Sequence, residues 1–212
     1  MAIQKSLFTY LAQQKQDFIK AYHEPAGYPV GVQDPTQTAC SFAVAAAWSW
    51  DSAVDGKQAF IRTVASRDKE YWVSVDLRAY REPFLAFLGR EFGVPRATIP
   101  GALHAAHLLN AAFARRHGLR YVRMALVWEG YNVGYGTKIE KNLTQSLASD
   151  KRMYLFDYII LLKVLNIPPP SDKNNYLRRR EAIASRLAAE LGERRDLILQ
   201  GMDGFFKLWP VL

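Results

Sequence analysis

"LRYVRMALVWEGYNVGYGTKIEKN" (residues 119–142) decides how this chain is read. Its first part, 119–128, is rich in β-branched, aromatic and aliphatic residues and predicts a strand. Gly130, Gly134 and Gly136 follow, then Thr137, Lys138 and Lys141. Strand, glycine loop and basic helix in that order is an arrangement that holds phosphate. The backbone N–H groups at a helix start point outward, the positive end of the helix dipole lies there, and no Cβ obstructs an anion. The pattern predicts a positive φ at one of the three glycines and open N–H groups near Thr137 and Lys138. The ATP-binding loop G-x-x-x-x-G-K-[ST] is not matched. Gly130 to Gly136 is one residue too long, and Thr137 precedes Lys138.

Before that strand lies "GALHAAHLLNAAFARRH" (101–117), between Pro100 and Gly118. Pro at the start and Gly past the end predict a helix. It would carry His104 and His107 at i, i+3, with Asn110 bordering its apolar stripe. Together with Asn132, these histidines form a candidate site for a metal-dependent nuclease: one His as general base, another group holding a divalent ion, the Asn orienting the base. Nucleases of the ββα-metal type use that logic, but place the first His at the end of a strand in a hairpin. Here the first His is expected on a helix.

Elsewhere helical spacing dominates. Residues 5–22 place Leu7, Phe8, Leu11, Phe18, Ile19 and Tyr22 on one stripe. Thr38 is a suitable N-cap for an Ala-rich run, 39–50. Residues 54–69 read as a turn and a short helix, 71–77 as a strand, and 79–92 as a helix stopped by Gly93. Residues 137–148 and 151–165 read as two further helices. Residues 176–191 form an amphipathic helix with Tyr176, Leu177, Ile183, Leu187 and Leu191 on one face. The expected fold is mainly α with a small β-sheet (α+β), a compact helical domain with two or three strands around 71–77 and 119–128. Residues 1–100 form a near-neutral helical half and 101–212 a basic helical half of one continuous domain.

The formal charge is +8 over 212 residues, and it is one-sided. Residues 1–100 hold 11 Lys and Arg against 10 Asp and Glu; residues 101–212 hold 17 against 10. That balance favours a polyanionic partner. Arg178, Arg179 and Arg186 share one face of the 176–191 helix. Arg115, Arg116 and Arg120, with Lys138 and Lys141, extend the basic surface, all as phosphate contacts. A single cysteine, Cys40, excludes an internal disulfide and a cysteine metal cluster. At a helix start its thiol would be acidified, but the apolar run after it suits a small core residue. No apolar run approaches the ~20 residues of a membrane span, and no secretory segment opens the chain. A cytoplasmic location is expected.

The leading functional reading is nucleic-acid binding through the phosphate backbone by the basic half. One alternative is a divalent-metal nuclease on His104, His107 and Asn132. Another is an assembly subunit docking through Phe205, Phe206 and Trp209. "NVGYGT" (132–137) also resembles the hairpin segment of phage-type lysozymes. That resemblance implies a hairpin and a pair of carboxyl groups. Only Glu129 precedes it closely, so the pair is not evident.

Overall fold

The computed structural model describes residues 6–24, 27–38, 46–64, 68–140 and 153–207. Its elements are α1 (Leu7–Tyr22), β1 (Pro29–Val32), β2 (Ala46–Trp50), β3 (Ala59–Val64), β4 (Asp68–Ser74), α2 (Arg81–Phe92), β5 (Leu103–His107), α3 (Ala111–Arg116), β6 (Tyr121–Trp128), α4 (Glu129–Tyr135), β7 (Met153–Leu155), α5 (Tyr158–Val164), α6 (Lys173–Leu191) and α7 (Arg195–Lys207). One turn of π-helix, Gly136–Glu140, prolongs α4.

The seven strands form one antiparallel sheet in the order β2-β3-β4-β6-β1-β7, with β5 paired to β6 off that path. This corrects the expected mainly helical fold with two or three strands. Strands from both halves of the chain interleave. Strand β6 is its axis. Near its start, Val122 lies opposite Gly31 of β1 on one edge and Val73 of β4 on the other. Its second half, Met124 to Trp128, pairs with His107 to Leu103 of β5. The opposite edge is closed at Leu126 by a side chain. Gln14 of α1 donates Nε2–H to the Leu126 carbonyl (2.9 Å) and accepts the Leu126 N–H (2.9 Å). A strand paired on both edges and covered on both faces is buried along its length: 121–127 is wholly buried, the charged Arg123 included.

Four helix expectations fail in part. Residues 46–50 are β2; the rest of that run, Cys40 included, lies outside the described residues. Residues 59–64 are β3, where Phe60 stacks on Trp72 of β4 at 5.6 Å. Residues 153–155 are the edge strand β7, and α5 begins only after Asp157, whose carboxylate accepts the Ile160 N–H. The run 101–117 splits into β5 and the six-residue α3. Ala and Leu favour a helix, but only by a few tenths of a kcal/mol per residue, so an open ladder edge on β6 overrides that propensity. Asn110, not Pro100, starts the helix: its Oδ1 accepts the Ala112 and Phe113 N–H groups. Gly118 does end it, at φ +70°.

The helices expected at 5–22, 79–92 and 176–191 are α1, α2 and α6. Leu177, placed on the apolar face of α6, is instead exposed. Among the described residues, no helix is long and apolar enough to cross a membrane.

Candidate functional site

Strand β5, strand β6 and helix α4 follow one another as an antiparallel pair and a helix, with α3 bridging the strands. His107 is the last residue of β5. The strand placement of a first histidine, which the sequence did not predict, is therefore present. In a strand, residues three apart point to opposite faces. His104 and His107 thus separate, and His104 turns to Glu129, 3.7 Å from its Nε2. The expected His pair does not form.

His107 and Asn132 do come together. Both line a cavity of about 490 Å³, with Tyr80, Asn110, Glu140 and Lys163 among its other walls. The Tyr80 ring lies over the imidazole, centroids 4.2 Å apart. The His107 Nε2 is buried and has no hydrogen-bond partner among the described residues. Burial first, then the positive charges of Lys163 and Arg115, hold the imidazole pKa down to about 4, so the ring is neutral at pH 7. A neutral imidazole with an uncommitted nitrogen can accept a proton from water.

Behind the ring sits an ion pair that the sequence reading missed. Lys163 of α5 and Glu140, the last residue of the π turn, are 1% and 2% exposed and 3.1 Å apart. Burial raises the Glu140 pKa, and Lys163 opposes that shift. The signal was visible: Lys163 is the charge that interrupts the apolar run of α5. Tyr80 gave no signal.

The glycine loop is helix, not a phosphate cradle. None of Gly130, Gly134 and Gly136 has a positive φ, and the backbone continues through α4 into the π turn. Its N–H groups there are taken up along the helix, and the Thr137 hydroxyl donates to the Val133 carbonyl at 2.7 Å. Gly134 is needed for packing: a Cβ would lie 2.8 Å from Cγ of Pro169. The helix also removes the hairpin implied by the lysozyme resemblance. Lys141 and the Lys138 side chain lie outside what the structure describes.

The arginines divide. Arg115, on the cavity rim, donates to Asp76 (2.9 Å) and the Val75 carbonyl (2.6 Å). Arg179 donates to the Pro168 carbonyl (3.4 Å), and Arg186 to that of Leu165 (2.9 Å). Arg116, Arg120 and Arg178 are exposed. The side chains of Phe205 and Phe206, and all of Trp209, lie outside the described residues.

Among the described residues no three His, Cys, Asp or Glu side chains are grouped to hold a metal ion. Comparison with family models, curated proteins and solved structures gives no match.

Proposed function

We propose that the chain is a divalent-metal-dependent phosphodiesterase acting on nucleic acid, with His107 as general base. One observation carries the reading: a neutral histidine at a strand end shares a cavity with Asn132 on the helix that follows the paired strand. His107 takes a proton from a water in the cavity, and that water attacks phosphorus. The Arg115 guanidinium on the rim brings positive charge nearby, shared with Asp76, while the Lys163 charge is offset by Glu140. Asn132, with no side-chain partner among the described residues, offers a neutral oxygen to a hard cation. Such an ion keeps several waters and completes its shell with substrate phosphate; its usual one or two carboxylates are not offered here, since Glu140, the carboxylate among the residues lining the cavity, is paired with Lys163. When bound, it would stabilise charge on the phosphate oxygens and the leaving oxygen.

The test is cleavage of supercoiled DNA and of RNA with Mg²⁺ or Mn²⁺, with and without a chelator. His107→Ala should lower the rate by about 10²–10⁴-fold. The acid limb of the kcat/KM profile should follow the lowered pKa. The base stays neutral, and active, as pH falls through 6.5, and activity is lost only near pH 4. No cleavage with any divalent ion, or full activity in His107→Ala, refutes the assignment.

The second reading, binding to the phosphate backbone without cleavage, is supported by the excess charge of residues 101–212 and the exposed Arg116, Arg120 and Arg178. Retention that falls with salt, in the absence of cleavage, would select it.

A further inference from the structure

Helix α5, "YIILLKV", is buried from Ile159 onward, and Lys163 is its only charge. Methionine would fill the same volume without dehydrating an ammonium. Well-packed apolar residues are commonly as stabilising as a buried ion pair, or more so. The ammonium does what methionine cannot. It donates to three acceptors: the His107 carbonyl at 2.9 Å, the Leu108 carbonyl at 3.5 Å and Glu140 Oε1 at 3.1 Å. The two carbonyls belong to the last residue of β5 and the residue after it. There the Leu108 N–H still reaches the Arg123 carbonyl of β6 (2.9 Å). Glu140 brings the extension of α4 to the same point. Three elements that wall the cavity thus meet on one ammonium.

We propose that Lys163 and Glu140 are positioning residues: the pair fixes the end of β5, and with it the His107 imidazole, at the cavity. The geometry stands by itself; the purpose rests on the phosphodiesterase reading. The titratable and charged groups facing the ring are Tyr80 from the segment before α2, Arg115 from α3, Glu140 from the π turn and Lys163 from α5. Lys163 is the one that also holds the His107 backbone. Its charge favours the neutral imidazole, and Glu140, 3.1 Å away, offsets that charge.

The test removes both charges together, Lys163→Met with Glu140→Gln, so that neither is left unpaired. Ring NMR of His107 should show its titration midpoint rising from about 4, but short of a full return to 6.5, because burial, the larger cause, remains. The kcat should fall about tenfold or more while KM changes little, because orientation and not affinity is lost. An unchanged midpoint and kcat in a folded double variant overturn the inference. If that variant does not fold, the intact protein decides. The Lys163 ammonium protons should exchange slowly and couple across the hydrogen bond to the His107 carbonyl; fast exchange without coupling overturns it. A wild-type protein that cuts nothing, yet shows the shift in midpoint, keeps the positioning pair and refutes the phosphodiesterase.

Discussion

Two buried ion clusters in this molecule use the same chemistry to different ends. Under α1, Glu70 accepts from Arg62 and Trp72 through one oxygen, both at 3.1 Å, and lies 3.4 Å from Arg123 through the other. Arg123 sits over Phe18 and near Tyr28, and Arg62 also faces Tyr28. Burial, then Arg123, brings the Arg62 pKa down to about 10. The Glu140–Lys163 pair is as deeply buried, but it holds the backbone of a histidine and opens on a cavity. A buried charge pair is by itself no mark of a catalytic site. Glu70 and Arg123 also line a smaller pocket, of about 280 Å³, so what separates the two is the titratable base, His107, without a hydrogen-bond partner for its Nε2 among the described residues.

The contrast is broken most forcefully at Glu70. Glu70→Ala leaves Arg62 and Arg123 without their shared carboxylate and should cost about 3–5 kcal/mol of stability, read from the midpoint of urea denaturation. A loss below about 1 kcal/mol would mean that the cluster is not held together by that carboxylate.

At the cavity the readout is activity instead. Asn132→Ala should reduce activity about 10–100-fold and raise the divalent-ion concentration needed for half-maximal rate. Stability should hardly change, because the side chain is only half buried and has no partner among the described residues. An unaltered metal requirement would remove Asn132 from the site.

Smaller again is the effect expected on the exposed face of α6. Arg178→Ala should lower nucleic-acid affinity and reduce the slope of log K against log salt by about one. Arg186→Ala should affect stability more, because its guanidinium caps the Leu165 carbonyl. Equal salt slopes for Arg178→Ala and wild type would place the polyanion contact elsewhere.

The least effect is expected at His104. It faces Glu129 across a partly exposed gap, and such pairs are worth roughly 0–1 kcal/mol. His104→Ala should keep nearly full activity in the assay in which His107→Ala loses about 10²–10⁴-fold. Equal loss in both would restore the histidine pair.

Some of this was legible in the residues. The strand at 121–128 follows from its β-branched and aromatic content, and α6 from its 3.6-residue period. The association of His107 with Asn132 was also within reach, since both residue types suit the chemistry. Lys163 announced itself as a charge inside an apolar run. The sequence alone could not separate His104 from His107. A spacing of three puts them on one side of a helix and on opposite faces of a strand, and the Leu and Ala of "LHAAH" favour the helix only by a few tenths of a kcal/mol per residue. The choice was made by β6, whose second half had an edge to fill, and by Asn110, which captured the helix start. The same holds for the glycines: local chemistry permits a cradle or a helix, and in the helix that forms, Pro169 packs where a Cβ at Gly134 would lie. The sequence by itself therefore determined the residue types and the charge balance. Which of those residues face one cavity was decided by tertiary pairing, because ladder bonds and burial outweigh preferences of a few tenths of a kcal/mol per residue.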